Sequence, residues 1–435
     1  MRILLVSPFS GKKRTLLYRF GYLPSFLSLQ QIAAITPEKH EVEIVDEKFS
    51  DIDFDEEYDL VGISCLTCNA PRGYEIADKF RKRGVKVALG GYHPTVLPDE
   101  AKEHADAVVI GEAELTWPKL IDDLERGKKL KPFYVSEEFV DPKLIPPAKR
   151  TDDIPTSIAP IQATRGCPVG CKFCTVHRVE GRVHRTRPVE NVIEEIQSIK
   201  CKYLFFVDAS MTINTDYTKK LFKEMMGLNK RFDCYGNVNV LARDDKLLKL
   251  ASEAGCFRWQ VGFESVSQAA INSVGKRTNR IEEYRKAVKK IKDYGMMVAG
   301  LFMFGFDTDT TDVFDNTLEM LKELDLDTAA FAILTPYPGT AIFEELDKQN
   351  RILTKDWSKY NEGNVVFQPK NMTVEQLLEG IKKVATGFYS FSNAMRRCIG
   401  GSKNLCVYDF FSKFVRNMLF TRHFHRFLFS GKYPS

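Results

Sequence analysis

The sequence contains no run of 18 or more apolar residues, which excludes an ordinary membrane-spanning helix. The apolar core of its first segment, MRILLVSPFSGKK, is too short for a signal peptide and predicts a β-strand. The 10 cysteines are unevenly spaced and lack the pattern of a disulfide scaffold. We therefore expect a cytoplasmic protein whose cysteines serve metal binding or catalysis.

Strong charge of either sign is missing from most of the chain. The net charge is +5, yet residues 396–435 alone contribute +7, so the remaining residues sum to −2. This balance argues against general nucleic-acid binding. In the tail, apolar residues recur at helical spacing between basic ones: Phe410, Phe411, Phe414, Val415 and Met418. The pattern predicts either a helix on the inner face of a membrane, facing anionic lipid, or a helix docked on the protein.

The first 130 residues alternate short apolar runs with amphipathic segments, which predicts an α/β fold with a parallel sheet covered on both faces. Such a doubly wound, Rossmann-like domain binds its ligand at the C-terminal strand ends. Residues 131–156 contain five prolines and no clear period, and are predicted to be a linker.

A second domain is predicted at residues 157–350, where strand and helix alternate six times. The expected strands are 158–163, 203–207, 234–240, 257–263, 298–305 and 328–334. Six units are too few for a closed eight-stranded barrel, so we expect a partial (β/α)6 barrel with active residues at the C-terminal strand ends. Residues 351–435 are predicted to be a mainly helical region that ends in the basic, aromatic tail.

Three cysteines follow the first predicted barrel strand with the spacing C-x-x-x-C-x-x-C: Cys167, Cys171 and Cys174. Structural zinc takes four protein ligands, and only His177 lies near enough in sequence to complete a Cys3His site. A [4Fe–4S] cluster held by three thiolates instead leaves one iron free to bind a substrate or cofactor. The position at a strand end favours the cluster, with zinc as the alternative.

The motif CPVGCKFC after the first strand of a six-unit barrel resembles the radical S-adenosylmethionine (SAM) superfamily. FFVDAS, VGFES, GLFMFGFDTDT and LTPYPGTAIFEEL resemble later strand ends of that family. DLVGISCLT, KVALGGYHPT and VVIGEAE resemble the N-terminal cobalamin-binding-type domain of one subset. Through NRILTKDWSKYNEGNVVFQPKNMTVEQL, the chain is most similar to the hopanoid-methylase and anaerobic-cyclase group.

The resemblance implies that the open iron chelates SAM. An electron from a reductant such as flavodoxin or ferredoxin then cleaves SAM to a 5′-deoxyadenosyl radical. It places Asp208 at the methionine amino group, Glu264 and Ser265 at the methionine or ribose polar groups, and Phe173 and Gly305 in the same cofactor site. The cobalamin-contacting residues that it implies are Ser64, Thr67, Gly90, Gly91, His93, Gly111 and Glu112.

The chain departs from one known cobalamin pattern, because it has no D-x-H-x-x-G motif, whose histidine ligates cobalt. If cobalamin binds, its lower axial position therefore lacks a histidine from that motif. Cys65 and Cys68 form a C-x-x-C pair with no second pair, and we expect them to be packing residues. Cys398 and Cys406 are too isolated to indicate an auxiliary cluster.

Three functions remain open from the sequence. The one that we expect is cobalamin-dependent methylation of an unactivated carbon in a lipid or other hydrophobic small molecule. The second is a radical cyclase, oxidoreductase or C–C coupling enzyme of the same architecture that uses no methylcobalamin. The third is an iron–sulfur or zinc module that carries electrons or acts as a scaffold, which would need neither Asp208 nor Glu264.

Overall fold

A computed structural model describes residues 1–10, 26–150, 157–390, 392–393 and 397 of the chain. The predicted tail helix, Cys398 and Cys406 lie outside these residues. No helix among them combines the length and hydrophobicity that crossing a bilayer requires.

The N-terminal domain is built on a six-stranded parallel sheet. Its strands are β1 (Arg2–Ser7), β2 (Glu41–Asp46), β3 (Leu60–Ser64), β4 (Lys86–Gly90), β5 (Ala107–Ile110) and β6 (Phe133–Val135). Their order is β2-β1-β3-β4-β5-β6, so the chain reverses its direction of winding between β1 and β3. Ligands of doubly wound sheets bind outside the strand ends at such a switch point.

Both faces of this sheet are buried, which explains why its strands are apolar without alternation. In β1, Leu4 and Val6 enter one hydrophobic cluster, whereas Ile3 and Leu5 enter the cluster on the opposite face. The covering helices are α1 (Leu27–Ile35), α2 (Ala70–Lys82), α3 (Tyr92–Val96), α4 (Pro98–Glu103) and α5 (Trp117–Glu125). The predicted Rossmann-like domain is confirmed.

The predicted linker is partly structured, which corrects the expectation for its first residues. Strand β6 lies inside 131–156 and pairs in parallel with β5, from Val108–Phe133 to Ile110–Val135. Three residues give too short a pattern to recognise in a proline-rich stretch, and pairing with β5 supplies the missing stability. Further on, a 3-10 helix covers Pro142–Leu144.

The second domain has six parallel strands in one curved sheet. They are β7 (Ile158–Ile161), β10 (Tyr203–Phe206), β11 (Arg231–Gly236), β12 (Cys256–Glu264), β13 (Met297–Phe304) and β14 (Thr328–Ile333); a small antiparallel pair, β8 (Thr164–Arg165) and β9 (Arg185–Thr186), follows β7. The order is β14-β13-β12-β11-β10-β7, so β7 and β14 are unpaired edges. The predicted partial barrel, open on one side, is confirmed.

Helices follow the barrel strands. They are α6 (Val176–Val179), α7 (Val189–Ser198), α8 (Thr215–Met225), α9 (Val238–Leu241), α10 (Asp245–Glu253), α11 (Gln268–Ser273), α12 (Tyr284–Asp293), α13 (Asp312–Glu323) and α14 (Ala341–Lys348). The strand predicted at 234–240 is misplaced. It ends at Gly236, where a Cβ would lie 2.8 Å from Trp259 Cε3, and the chain then turns into α9.

The C-terminal region is less helical than predicted within the described residues. Residues 351–373 contain only the 3-10 helix Trp357–Lys359 and the bridge Ile352–Phe367. Helix α15 (Val374–Phe388) begins with a capping box between Thr373 and Gln376. Past its end, the Tyr389 hydroxyl donates to Ala329 O at 2.6 Å, which fixes the region to β14.

Candidate active site

The three predicted cluster ligands lie on one loop after β7. The β8–β9 pair closes the base of this loop, and Cys167 N donates to Gly181 O at 3.1 Å. Cys174 N donates to Cys171 O at 3.1 Å, so the second and third cysteines share a tight turn. Gly166, with a φ of 83°, packs where a Cβ would strike Val183 O. Backbone bonds and glycine thus shape the loop that carries the thiols.

A partly buried lysine supplies positive charge to this loop. Burial raises the pKa of the Cys171 thiol to about 12, and the ammonium of Lys276 opposes that rise. Burial also disfavours charged Lys276, but the Glu264 carboxylate and the Cys171 thiolate outweigh it and raise the pKa of Lys276. A neighbouring cation stabilises thiolate, the form of cysteine that binds metal.

Three thiols are the number of protein ligands that a [4Fe–4S] cluster with one open iron takes. Among the described residues, no three His, Cys, Asp or Glu side chains converge closely enough to hold one metal ion. The Cys3His zinc alternative with His177 is therefore not formed in this structure. In a cluster each thiolate binds a different iron, so the three thiols lie farther apart than the ligands of a single ion.

Glu264 ends β12 beside the cysteine loop. Its backbone adopts a φ of 62°, and its Oε1 accepts a hydrogen bond from Lys276 Nζ at 2.7 Å. The Tyr284 hydroxyl donates to Phe263 O at 2.7 Å and to Ser265 O at 3.0 Å, which supports this turn. The hydroxyl of Ser265 accepts from Ser267 N at 3.1 Å. The predicted SAM contacts Glu264 and Ser265 thus lie next to the predicted cluster ligands.

The Asp208 carboxylate is hydrogen-bonded to other groups of the protein. It is fully buried, and its carboxylate accepts hydrogen bonds from Ala163 N at 3.1 Å and from Thr164 N and Oγ1 at 2.5 and 2.7 Å. Burial raises the pKa of this carboxyl to about 6 against the effect of these donors. Asp208 therefore holds the backbone that leads into the cysteine loop, and a direct bond to SAM would require these contacts to change.

The other two predicted SAM residues differ in their surroundings. Phe173 is partly buried and packs against the barrel core. Gly305 has a φ of 102°, and a Cβ there would lie 3.0 Å from Phe367 Cζ and 3.2 Å from Leu377 Cδ2. Its lack of a side chain accommodates the C-terminal region on that side.

The barrel encloses a partly accessible interior. Alternate residues of five neighbouring strands are only half-buried, whereas the residues between them are buried: Phe205, Tyr235, Gln260, Leu301, Met303, Ala330 and Ala332. Because side chains alternate across a strand, this set faces the interior. The buried pair Asp233–Arg258 lies on the same side of β11 and β12.

A cavity of about 290 Å³ lies at the C-terminal ends of β1, β3, β4 and β5. Five of the predicted cobalamin-contacting residues line it: Ser64, Gly90, Gly91, Gly111 and Glu112. Its inner wall includes Leu5, Val109 and Trp117, which suit an apolar ring system.

Two glycines that line the cavity are packed closely against neighbouring protein atoms. A Cβ at Gly62 would lie 2.9 Å from both Leu5 Cδ2 and Trp117 Cη2, and one at Gly91 would lie 2.8 Å from Cys65 O. The apolar wall and close backbone approach fit cobalamin, so the residues present can hold this cofactor.

His93 and Thr67 do not line the cavity. The His93 ring is fully buried, its Nε2 lies 3.1 Å from Glu100 Oε1, and Trp357 Nε1 donates to the same oxygen at 3.1 Å. Glu100 thus joins the N-terminal domain to Trp357 of the C-terminal region, and the His93 ring packs edge-on against Trp357. Thr67 is 1% exposed. Cys65 is a buried free thiol, as expected for a packing residue.

An ionic network joins the cavity to the cysteine loop. Arg165, two residues before Cys167, contacts Glu114 at 2.6 Å and Glu112 at 3.3 Å. Arg185 binds Glu112 through both terminal nitrogens, at 2.7 and 3.0 Å. Arg165, Glu112 and Glu114 also line the cavity. The cavity and the cysteine loop therefore share a wall.

Comparison with known proteins agrees with this arrangement. Residues 161–321 match the radical SAM superfamily, and residues 14–121 match the B12 binding domain. The bacteriochlorophyllide d C-12(1)-methyltransferase of Chlorobaculum tepidum is 32% identical over 96% of this chain and 93% of its own. The chain belongs to the radical SAM superfamily. This radical SAM enzyme carries a B12 binding domain, and its cofactors are a [4Fe–4S] cluster, SAM and cobalamin.

Solved structures share the two-domain fold of this radical SAM enzyme. The methyltransferase TsrM from Kitasatospora setae, with cobalamin and a [4Fe-4S] cluster bound, has a TM-score of 0.68 at 16% identity, over 80% of this chain and 75% of that one. The radical enzyme OxsB with aqua-cobalamin bound has a TM-score of 0.70 at 14% identity, over 98% and 73% of the two chains.

The predicted subset is confirmed as well. The hopanoid C-2 methylase of Rhodopseudomonas palustris is 25% identical over 77% of this chain and 66% of its own. An anaerobic magnesium-protoporphyrin IX monomethyl ester cyclase of Rubrivivax gelatinosus is 26% identical over 74% and 64%. The prediction of a cobalamin-dependent radical SAM methyltransferase is confirmed at the level of the family.

Sequence reasoning missed two residues of this radical SAM site. Lys276 lies 12 residues beyond Glu264, and only folding brings its ammonium to the carboxylate and the thiols. Arg165 had a usable signal, because it directly precedes the Gly166–Cys167 turn.

Proposed function

We propose that this enzyme methylates an unactivated carbon of a hydrophobic small molecule, and that the substrate class to test first is a tetrapyrrole. Two relatives are methyltransferases of bacteriochlorophyllide d, at 32% identity over 96% of this chain and 34% over 79%. The apolar side chains of Phe205, Leu301 and Met303, which face the barrel interior, are compatible with such a substrate. A lipid, as in the hopanoid C-2 methylase, is the other hydrophobic class.

The observation that carries the proposal is the shared wall between the cavity and the cysteine loop. When bound, cobalamin supplies the methyl group, while the cluster with SAM supplies the radical that activates the carbon. Arg165 and Glu112 would hold the two sites together. Gly62 and Gly90 would let the corrin ring approach the backbone closely. Glu264 would orient SAM while Lys276 balances its charge.

The test is anaerobic incubation of the reconstituted enzyme with bacteriochlorophyllide d, SAM and a low-potential reductant such as flavodoxin. Methylation of this type predicts S-adenosylhomocysteine and 5′-deoxyadenosine in equal amounts, and a substrate that gains 14 mass units (the mass of CH2). The Cys171→Ala variant is the control and should form none of these products. Production of 5′-deoxyadenosine without S-adenosylhomocysteine would replace methylation with the cyclase or oxidoreductase alternative, which the 26% identical cyclase supports.

We also propose that the basic tail brings the enzyme to the inner face of the membrane. The local charge of +7 and nine aromatic residues within 396–435 support this assignment. A hydrophobic substrate would be available at that surface.

A further inference from the structure

Glu362 has an unusual backbone in the C-terminal region. Its φ is 64°, in the left-handed region that side chains other than glycine rarely adopt. Two backbone bonds hold it there: Glu362 N donates to Thr335 Oγ1 at 3.1 Å, and Ile333 N donates to Glu362 O at 2.8 Å. Neither bond uses the side chain. The fold therefore places the Glu362 carboxylate at the C-terminal end of β14 without needing the carboxylate itself.

The Glu362 side chain is exposed. The surrounding protein nevertheless raises the pKa of its carboxyl. Its side-chain contact is the Tyr337 hydroxyl at 3.3 Å, and no described Lys or Arg forms an ion pair with it.

Three different elements surround this carboxylate. The charge of Glu264, at the end of β12, contributes to the raised pKa of Glu362. Burial raises the pKa of Tyr235 to about 12, and the charges of Asp233 and Glu362 contribute to that rise. Burial likewise raises the pKa of Cys68 to about 11, and the charge of Glu362 contributes to that rise. The charge of Glu362 thus acts on groups of β11 and of the loop after β3, while its backbone is bonded to the end of β14.

We propose that Glu362 is a substrate-recognition residue whose carboxylate accepts a hydrogen bond from a hydroxyl or N–H group of the substrate. This inference rests on the proposed function, because it assumes a substrate between the two cofactor sites. Catalytic and binding groups of such barrels occur at the C-terminal strand ends, and disfavoured backbone conformations are common at functional sites. Glu362 combines this position and backbone with a carboxylate that has no cationic partner among the described residues. Hydrogen bonds to charged groups are stronger than neutral ones, so this contact selects substrates that carry a donor at that place.

The experiment compares three variants with the parent enzyme, all loaded with cluster and cobalamin. Glu362→Gln keeps the shape but removes the charge. Glu362→Asn shortens the side chain but tolerates a left-handed backbone, so it separates the side chain from the fold. Glu319→Gln, on the exposed face of α13, is the matched control. The probe is bacteriochlorophyllide d, and its binding is followed by the absorption of its macrocycle.

Glu362→Gln and Glu362→Asn should each bind the probe about tenfold or more weakly. Both should keep the parent's melting temperature and iron content, whereas Glu319→Gln should match the parent throughout. Unchanged probe affinity in either Glu362 variant would overturn the assignment. So would a lowered melting temperature in Glu362→Asn with loss of iron, since a structural role explains that.

The outcome separates this inference from the proposed function. Probe binding without methylation would overturn methyl transfer. The probe affinities of the Glu362 variants would then still decide the recognition role. Failure of the parent to bind bacteriochlorophyllide d or magnesium-protoporphyrin IX monomethyl ester would overturn the tetrapyrrole assignment and the recognition role stated here.

Discussion

Replacing Gly62 by alanine should weaken cobalamin binding without affecting the cluster. The added Cβ would lie 2.9 Å from Leu5 Cδ2 and from Trp117 Cη2, so one of these side chains must move. Both are almost fully buried, and Trp117 Nε1 is held by Thr36 Oγ1 at 2.9 Å. The space open to them is the cavity of about 290 Å³ that they line.

Overpacking of this kind costs about 1–3 kcal/mol. If that cost is felt only when cobalamin fills the cavity, the dissociation constant should rise by about 5- to 150-fold. The assay is anaerobic equilibrium dialysis with cobalamin, together with iron content and melting temperature. Iron content should match the parent, because the thiols belong to the other domain.

The chain offers a matched control in Gly236→Ala. A Cβ at Gly236 would lie 2.7 Å from Leu241 Cδ1 and 2.8 Å from Trp259 Cε3, again a leucine and a tryptophan, but in the barrel. It should lower the melting temperature, by about 2–4 °C per kcal/mol, and leave cobalamin affinity unchanged. Parent-like cobalamin affinity in Gly62→Ala would refute the cavity as the cobalamin site.

Further predictions concern the cluster, SAM and the tail. Cys171→Ala should lose iron and SAM cleavage together but keep cobalamin, and stoichiometric zinc in an air-stable parent would contradict the cluster. Asp208→Ala leaves two buried amides without acceptors, so the free energy of unfolding should fall by about 2–6 kcal/mol. Iron content should fall as well, and a melting temperature equal to that of the parent would refute this role of Asp208. Glu264→Gln should weaken SAM binding in equilibrium dialysis while iron stays, and equal affinity would remove Glu264 from the SAM site. Deleting residues 405–435, or raising the salt concentration, should abolish sedimentation of the protein with anionic vesicles. Sedimentation that the deletion leaves unchanged would show that the tail does not bind the membrane.

Features of the fold that depend on local sequence were predictable. The apolar runs of β1 and β13 identify buried parallel strands whatever their partners. Strand β6 was not predictable, because it exists through pairing with β5. The third barrel strand was placed too late, because apolar alternation continues to Val240 whereas the ladder with β12 ends at Gly236.

The same distinction applies to the active site. The cysteine motif is local, and its loop could be placed from the sequence. His93 was assigned to the cobalamin pocket by its neighbours in sequence, yet its ring turns to Glu100 and Trp357, and Trp357 lies far along the chain. Asp208 fell at the expected strand end, but its carboxylate binds the loop backbone. Side-chain direction at a strand end is set by tertiary contacts that no local pattern records.

The ties between the two domains bear on how the enzyme acquires its corrinoid. Arg165–Glu114, Arg185–Glu112 and Trp357–Glu100 all cross from the N-terminal domain to later parts of the chain. Hydrogen bonds to charged groups contribute about 1.5–3 kcal/mol each, and separation of the domains would break at least two of them. Two such bonds limit a separated form to about one molecule in a hundred or fewer. The corrinoid should therefore exchange much more slowly than the substrate, and the enzyme should retain the molecule captured during assembly through many turnovers.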